Sequence, residues 1–259
     1  NMRKLKHTLE KEDFDILHFH DIGIFLPLQI LNLSKSKNIL TFHSLPDASL
    51  IYKVSSDILK WAEKPVSDNF SSLIATSKPV SKIVNKIYKG PTYIIPNAID
   101  LERFSPKVKK IKKFLDGKIN ILFVGRFDKR KGLDYLLDAF LNLKKTNFNI
   151  RLIIVGSGDN KDCYQSFAKE NKIPDVVFVG YVKDEDLPKY YATCDIFCSP
   201  AIYGEGFCIV LLEAMASKKP VAGFSNSGYK QVMHGIGRKF LVKPEDTEGL
   251  LKVLQNLVE

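Results

Sequence analysis

The chain has 259 residues, of which 45% are hydrophobic and 26% are charged, a composition typical of a soluble globular protein. This excludes a collagen-like, mucin-like or wholly disordered chain, and the length predicts about two domains. The formal net charge of +10 permits an anionic partner, but the basic residues are 33 lysines and only 6 arginines. Because proteins that read DNA bases depend on arginine, nucleic acid is not the expected partner.

Short apolar, β-branched runs alternate with longer amphipathic stretches along the chain. The first four predicted strands are Asp15–His18, Ile39–Phe42, Ser72–Thr76 and Tyr93–Ile95. The other six are Asn120–Val124, Arg151–Val155, Val176–Val179, Asp195–Cys198, Pro220–Ala222 and Lys239–Val242. Leu133–Leu143 is an example of the helices between them, with apolar residues three and four positions apart. Strand, helix and strand in repetition predict an α/β protein whose parallel sheets are covered on both faces.

A region rich in turn and linker residues separates the two groups of strands. It runs from Pro96 to Lys118 and includes five lysines between Lys107 and Lys113. We therefore predict a domain boundary near residue 105, with one domain over 1–105 and another over 106–259. The second domain has the six strands of a complete doubly wound sheet. The first has only four, and the chain begins partway through the alternation of strands and helices. Such sheets bind ligands at the carboxyl ends of their strands.

No segment of the sequence is predicted to cross a membrane. The longest apolar stretch, Ile22–Leu33, has 12 residues, whereas a spanning helix needs about 20. The basic start of the chain runs into acidic residues, which argues against a signal peptide. The chain has four cysteines: Cys163, Cys194, Cys198 and Cys208. Because they are few, scattered and without a second closely spaced pair, we expect free buried thiols in a reducing compartment and no zinc.

Basic residues follow the first strand of the second domain. Gly125-Arg126 comes directly after the strand, and Lys131-Gly132 lies at the mouth of the next helix. Arg126 is expected to point into the crevice of the sheet, where it forms a site for phosphate oxygens with Lys131 and the free N–H groups of the helix. The alternative is a pair of solvated loop charges.

A loop with two glycines leads into an apolar helix after the fourth strand of the second domain. Gly204 and Gly206 let a ligand approach the backbone, and the first N–H groups of the helix, in Cys208–Val210, point at the loop. Glu205 lies in the loop and Glu213 within the helix. An acidic side chain there needs a polar partner, such as the hydroxyls of a sugar or a ribose. The alternative is a glutamate that caps its own helix.

Two further patterns suggest ligand sites but are not favoured. Gly156-Ser157-Gly158 follows a strand, but Lys161 stands where a dinucleotide fingerprint needs its third glycine, so we reject a nicotinamide site. His18 and His20 share one face of a strand and, with His43, offer metal-ligand types. Without supporting ligand spacing we favour the wall of a polar cleft instead.

Together these residues resemble the retaining GT-B glycosyltransferases of family 4, which include phosphatidylinositol mannosyltransferase-like enzymes. Glu205 and Glu213 are separated by seven residues, as in the family signature. Four further pieces resemble family segments and stand in the family's order: Leu17–Asp21, Thr41–His43, Pro96–Asp100 and the clamp Gly125-Arg126 with Lys131-Gly132. The resemblance covers nearly the whole chain.

The sequence departs from the family in two ways. The position after Phe207 is commonly glycine and here is Cys208, of which only the backbone N–H is needed. Family members also begin with further strands and an acceptor loop, and they end with a helix that crosses back to the N-terminal domain. We therefore expect an incomplete N-terminal domain, and a chain that is a fragment or one of two polypeptides.

The resemblance implies a GT-B fold, with two Rossmann-like doubly wound domains facing a cleft. It also implies transfer of a hexose, mannose among the candidates, from a nucleoside diphosphate sugar to a lipid-linked or glycan acceptor, with retention of configuration. Neither a metal nor another cofactor is required. Two alternatives stay open: a nucleotide-sugar epimerase on the same fold, for which no carboxylate set for ring deprotonation can be located, and a nucleotide-sugar-binding fragment without activity.

The resemblance also implies the roles of individual residues. The implied catalytic residues are His43, Glu205, Arg126 and Lys131. The implied substrate-binding residues are Gly125, Val182, Gly206, Phe207, Cys208, Ile209, Val210 and Glu213. Arg126, Lys131 and the N–H groups near Ile209 would stabilise the departing diphosphate. Glu205 and His43 would hold the sugar, Glu213 the ribose, and Val182 would line the base pocket.

The resemblance includes enzymes that act on lipid-linked acceptors at the cytoplasmic face of the membrane, and the charge distribution predicts a peripheral contact with an anionic surface. Residues 1–100 carry 13 Lys and Arg against 10 Asp and Glu, an excess of +3, which leaves +7 for residues 101–259. Much of the second excess comes from Lys107–Lys113. We therefore expect weak, salt-sensitive binding to anionic lipid.

Overall fold

A computed structural model of the protein describes residues 2–21, 30, 31, 33–43 and 66–259. Most of the apolar stretch Ile22–Leu33 lies outside these residues. The chain divides into two compact units. The first comprises Asn1–Asn97 with Gly204–Phe207, and the second comprises Ala98–Tyr203 with Cys208–Glu259.

The first unit contains a four-stranded parallel sheet in the order β1-β2-β3-β4. Its strands are β1 (Ile16–His20), β2 (Lys37–Phe42), β3 (Ser72–Ala75) and β4 (Thr92–Ile94). Two helices bounded within the described residues are α1 (Met2–Glu12) and α2 (Lys78–Ile87). Ser77 caps α2, because its Oγ accepts a hydrogen bond from Val80 N at 3.4 Å. The core of this unit includes Phe19, Leu40 and Leu73.

The second unit contains a six-stranded parallel sheet in the order β10-β9-β8-β5-β6-β7. Its strands are β5 (Ile119–Val124), β6 (Ile150–Val155), β7 (Val176–Gly180), β8 (Ile196–Ser199), β9 (Val221–Phe224) and β10 (Leu241–Val242). Its helices are α3 (Leu133–Thr146), α4 (Lys161–Glu170), α5 (Leu187–Thr193), α6 (Ile209–Ala216), α7 (Tyr229–Val232) and α8 (Thr247–Val258). Short 3₁₀ turns occupy Lys112–Phe114, Lys129–Lys131 and Gly235–Phe240.

Both faces of the six-stranded sheet are covered by apolar side chains. Ile121 and Phe123 of β5 pack into one core cluster with residues of α3 and α8. Leu122, between them, packs into a second cluster with residues of α5 and α6. Because successive strand residues point to opposite faces, this alternation shows the doubly wound arrangement that the sequence predicts.

The predicted elements agree closely with the structure. All ten predicted strands are present within two residues of their predicted limits, and the predicted helix Leu133–Leu143 continues to Thr146. The predicted strand Lys239–Val242 is wrong in its first half. Lys239 belongs to a 3₁₀ turn, since only Leu241 and Val242 pair with β9. Among the described residues, none of the helices combines the length and the apolar character needed to cross a membrane.

The prediction that all cysteines are buried is correct for three of the four. Cys194, Cys198 and Cys208 are buried free thiols, but Cys163 is a free thiol exposed on the surface of α4. Helix α4 buries Tyr164 and Ala168 against the sheet, and Cys163, one position before Tyr164, lies outside that buried stripe.

Two lysines and an aspartate join the amino ends of three strands in the second unit. Lys144 Nζ, in α3, donates to the carbonyl oxygens of Phe148 at 2.8 Å and Ile150 at 3.1 Å, and to Asp175 Oδ2 at 2.8 Å. Lys118 pairs with the other oxygen of Asp175. Partial burial raises the pKa of Asp175, but the two lysines outweigh it and hold that pKa below its usual range.

The order of strands reverses between β5 and β8. From β5 the chain continues to β6 on one side, whereas β8 and then β9 add on the other side. In open parallel sheets the loops at the carboxyl ends of two such strands diverge and leave a crevice for a ligand. The loops after β5 and β8 are the loops in which the sequence predicts a site.

Candidate functional site

The loop after β5 carries the predicted phosphate-binding residues. Lys131 Cδ lies 3.9 Å from the position that a Cβ on Gly125 would occupy. The side chain of Arg126 is 74% exposed, and its Nη2 lies 3.7 Å from Asp128 Oδ2. Helix α3 starts after Gly132 without a side-chain cap. The loop therefore presents two cations and the uncapped start of a 14-residue helix at the carboxyl edge of the sheet.

Gly132 brings this loop against the end of β8. Its φ of +68° lies in the left-handed region, and a Cβ there would lie 2.1 Å from the carbonyl oxygen of Pro200. Ile202 N also donates to the carbonyl oxygen of Arg130 at 2.8 Å. Backbone contacts thus hold the loop after β5 next to the loop after β8, which gives the crevice one wall of fixed shape.

The glycines of Gly156-Ser157-Gly158 support the same loop from the other side. Phe127 N donates to Ser157 O at 2.8 Å. A Cβ on Gly156, whose φ is +138°, would lie 1.8 Å from the carbonyl oxygen of Gly125. Close backbone packing therefore accounts for these glycines without a dinucleotide.

The start of α6 offers free backbone N–H groups. Cys208 precedes it with a φ of +63°, and no side chain among the described residues caps the helix. The N–H groups of Ile209 and Val210 therefore have no acceptor within the helix. A residue other than glycine in the left-handed region costs roughly 1–2 kcal/mol, which explains why glycine suits this position in the family that the sequence resembles.

Glu213 is buried one turn into α6 and accepts a hydrogen bond from Tyr191. The Tyr191 hydroxyl donates to Glu213 Oε2 at 2.7 Å. Burial raises the pKa of Glu213, whereas the Tyr191 hydroxyl and the charge of Arg103 oppose the increase. The alternative of a glutamate that caps its own helix is wrong for Glu213, and none of the other side chains that the structure describes caps α6.

The segment Gly204–Phe207 belongs to the first unit, and Glu205, Gly206 and Phe207 are buried. Ser77 Oγ donates to the carbonyl oxygen of Gly206 at 2.6 Å. A Cβ on Gly206 would lie 2.4 Å from the carbonyl oxygen of His43. Only glycine therefore fits here, and it brings the segment carrying Glu205 alongside His43.

Three histidines of the first unit lie side by side near the carboxyl ends of β1 and β2, and two of them are hydrogen-bonded to each other. His20 Nδ1 and His43 Nε2 are 2.8 Å apart, and His18 Nε2 is 2.7 Å from Thr41 Oγ1. Partial burial and the neighbouring imidazoles lower the pKa of His18. His43 N donates to Asp21 Oδ1 at 3.0 Å. The ring nitrogens thus bond to each other and to Thr41, the arrangement of a polar wall.

The described residues contain no group of three side chains arranged as a metal site. The expectation that the reaction needs no metal stays a prediction. Val182 is half-buried after β7 and packs against the second core cluster, beside residues of α5 and α6. Its role in a base pocket also stays a prediction.

The second unit places eight predicted site residues along the carboxyl edge of its sheet: Gly125, Arg126, Lys131, Val182, Cys208, Ile209, Val210 and Glu213. The other four, His43, Glu205, Gly206 and Phe207, belong to the first unit. Sequence patterns do not single out Tyr191 or Arg103, which both act on Glu213. The sequence feature that points to such partners is Glu213 itself, since an acidic side chain in an apolar helix requires a hydrogen-bond donor from a neighbouring element.

Comparisons with known proteins identify the family of the chain. The model of the family "Glycosyl transferases group 1" matches residues 104–259, and that of "Glycosyltransferase Family 4" matches residues 1–103. The phosphatidyl-myo-inositol mannosyltransferase of Mycobacterium tuberculosis is 30% identical, over 98% of this chain and 68% of that protein. An uncharacterized glycosyltransferase of Methanocaldococcus jannaschii is 27% identical, over 96% of this chain and 67% of that protein.

Solved structures show the fold. Sucrose-phosphate synthase from Thermosynechococcus elongatus has a TM-score of 0.79 and 22% identity, over 99% of this chain and 67% of that one. Anabaena HepE in complex with UDP and glucose has a TM-score of 0.80 and 18% identity, over 100% of this chain and 71% of that one. The fold is therefore of the GT-B type, as the resemblance implies.

Proposed function

The chain belongs to the group 1 glycosyl transferases and is a glycosyltransferase, and from this premise we propose that it moves a hexose, specifically mannose, from a nucleoside diphosphate sugar to a lipid-linked or glycan acceptor with retention of configuration. The observation that carries the proposal is the reversal of strand order between β5 and β8, whose following loops carry Lys131, Arg126 and the start of α6. The choice of mannose rests on the relative from Mycobacterium tuberculosis.

In the proposed reaction, the main task of the second unit is to stabilise the leaving diphosphate. As the bond between the anomeric carbon and the phosphate oxygen breaks, negative charge grows on the diphosphate. Lys131, Arg126 and the N–H groups of Ile209 and Val210 are donors that are in place before the charge develops, so little reorganisation is needed. The acceptor attacks from the face that the diphosphate leaves.

Glu213 and Glu205 take different parts of the donor in this proposal. The ionised Glu213 carboxylate accepts hydrogen bonds from ribose hydroxyls, a role that suits its burial beside the crevice. Glu205 accepts bonds from sugar hydroxyls and supports positive character at the anomeric carbon, and His43 faces the sugar. Val182 lines the base pocket.

A panel of nucleotide sugars tests the donor assignment. We expect one mannose nucleotide to raise the melting temperature, because a ligand at 100 times its Kd stabilises a protein by about 2.7 kcal/mol. The same nucleotide should support transfer to a lipid-linked or glycan acceptor, with the anomeric configuration read by NMR. Stabilisation by a different hexose nucleotide would overturn mannose, and the absence of stabilisation by any would overturn the donor site.

The same assay separates the two alternatives. An epimerase would convert the bound nucleotide sugar to its epimer without an acceptor, which NMR of the free nucleotide sugar detects. A binding fragment would be stabilised by the donor but would produce neither transfer nor hydrolysis.

We expect transfer to continue in the presence of a chelator such as EDTA, because cationic side chains and N–H groups replace a metal on the diphosphate. Initial rates are compared before and after dialysis against chelator, with a metal-dependent transferase as the positive control. Loss of activity that one particular divalent cation restores would contradict the proposed charge stabilisation and favour a metal at His18, His20 and His43.

Lys107–Lys113 supports a peripheral contact of the enzyme with the cytoplasmic face of the membrane. All five lysines are exposed, whereas Val108 and Ile111 are half-buried and Phe114 is buried. The segment therefore presents its charges on one side and anchors itself with its apolar residues. Each basic side chain near an anionic surface contributes about 1 kcal/mol.

Replacing those five lysines with glutamine is expected to weaken binding to vesicles that contain phosphatidylglycerol, with no change in donor affinity. The control variant removes the same charge from five exposed lysines elsewhere in the second unit: Lys145, Lys161, Lys169, Lys172 and Lys252. Sedimentation with vesicles at low salt measures the difference. Binding that persists in half-molar salt would contradict an electrostatic contact, because the Debye length is then only a few ångströms.

A further inference from the structure

The hydroxyl group of Tyr191 has a specific partner in the core of the second unit. Tyr191 is fully buried, and its ring packs against Phe104 and Phe197 at centroid distances of 5.6 and 5.4 Å. The hydroxyl bonds to Glu213 Oε2 at 2.7 Å. Apolar packing explains the ring but not the hydroxyl, because a phenylalanine would fill the same space without a polar group to satisfy.

We propose that Tyr191 is a positioning residue for the donor, because its hydroxyl fixes Glu213 Oε2 and leaves Oε1 for the hydroxyls of the donor ribose. This inference rests on the proposed function, in which Glu213 binds ribose. Tyr191 itself touches no substrate in this proposal and acts only through the carboxylate.

The surroundings make the tyrosine well suited to that role. A carboxylate on a flexible glutamate side chain loses rotational freedom when it binds a ligand, and this loss weakens binding. The Tyr191 ring, in α5, packs against Phe104, which precedes β5, and against Phe197 of β8, so its hydroxyl is a donor of fixed position. A carboxylate held by this donor before the ligand arrives has less freedom to lose.

The hydroxyl also affects the charge of Glu213. Three groups act on the carboxylate: the Tyr191 hydroxyl from α5, Arg103 from the segment before β5, and Asp184 from the loop after β7. Arg103 is held by a bond from Nη2 to the carbonyl oxygen of Asp184. Tyr191 and Arg103 favour the ionised form, whereas burial and Asp184 oppose it. Loss of the hydroxyl therefore raises the pKa of Glu213 further.

Tyr191→Phe tests the inference, with Tyr190→Phe as the matched control. Tyr190 is the preceding residue of the same helix, and its ring packs near Phe114 at 6.5 Å. The probes are UDP and GDP, each compared with its 2′,3′-dideoxy form. We expect Tyr191→Phe to weaken the affinity for the ribose form by about 10-fold, the effect of one hydrogen bond to a charged group. Its affinity for the dideoxy form should be unchanged.

The dideoxy comparison separates positioning from a general loss of structure. A merely structural role would weaken both forms equally, and equal weakening, or none, would overturn the inference. If neither UDP nor GDP binds the unaltered protein, the donor proposal has failed instead, before Tyr191 is tested. The same substitution in a Glu213→Ala background should have no further effect on affinity for the ribose form.

A second variant keeps the test valid if Tyr191→Phe does not fold. 3-Fluorotyrosine at position 191 retains the hydroxyl and donates a stronger hydrogen bond because its phenol is more acidic. Affinity for the ribose form should decrease in acid as Glu213 becomes protonated. With 3-fluorotyrosine this decrease should occur at lower pH than in the unaltered protein, whereas with Tyr191→Phe it should occur at higher pH. If affinity decreases at the same pH with 3-fluorotyrosine as in the unaltered protein, the proposed role of the hydroxyl is overturned.

Discussion

Lys131→Ala is expected to lower the rate of sugar transfer by about 100- to 1,000-fold, the cost of removing one donor from a preorganised site for developing negative charge. Lys131 lies beside Gly125 where β5 ends, and the backbone of its loop is held against the end of β8. Because the backbone of this loop is held, we expect the Lys131 ammonium to be in place before the charge develops. The measurement is kcat with saturating donor and acceptor.

Lys129→Ala is the matched control, because Lys129 is exposed in the same 3₁₀ turn and has no proposed role. Arg126→Ala should also weaken diphosphate binding, by about 1.5–3 kcal/mol, with little effect on the free nucleoside. Equal losses for nucleoside and nucleoside diphosphate in either variant would contradict the phosphate assignment. Wild-type kcat in Lys131→Ala would contradict its role in the reaction.

Lys144→Ala is expected to destabilise the second unit by about 1–3 kcal/mol, because it leaves Asp175 Oδ2 and two carbonyl oxygens without this donor, while Lys118 still pairs with the other oxygen of Asp175. The Lys144 side chain is only 6% exposed and makes three hydrogen bonds. Lys145→Ala is the control, since Lys145 is exposed and donates only to Asn142 Oδ1 within the part of the chain that the structure describes. Urea unfolding at neutral pH measures both variants.

The destabilisation should depend on pH in a definite direction. The folded-state pKa of Asp175 lies below its unfolded value, so its ion pairs contribute fully above about pH 4. That contribution is lost as the pH falls through the lowered folded-state value. The difference between Lys144→Ala and the unaltered protein should therefore shrink in acid. A difference below about 1 kcal/mol at neutral pH would show that the buried pair matters little to stability.

The fold is predictable from the sequence because eight of its ten described strands are runs of four to six mainly apolar residues, separated by helices of clear periodicity. The main failure, at Lys239, has a physical cause. β10 is only two residues long, and its pairing with β9 is a tertiary contact that an apolar run of four cannot define. The local sequence pattern determines where a strand can form, and pairing with the neighbouring strand determines its length.

The candidate site is predictable only in part. Lys131 and Glu213 stand at recognisable distances from strand and helix ends, so spacing identifies them. Tyr191 is 22 positions from Glu213 and lies in a different helix, so their hydrogen bond arises only from packing. The contact of Gly156 with Gly125 could not be predicted for the same reason, because it depends on how β5 and β6 align. Such contacts depend on the assembled sheet and leave no local pattern.

The glycines behind the loop after β5 have a consequence for genetics. Neither Gly132 nor Gly156 is proposed to contact a ligand, yet each has a backbone oxygen within 2.1 Å of where its Cβ would stand. A missense allele at either codon would push the loop away from the crevice, whatever side chain it encoded. In a genetic selection for lost activity, we expect inactivating substitutions at these two codons as often as at the codons of the charged residues. Suppressor mutations should be scarce, because a second substitution cannot remove a main-chain atom.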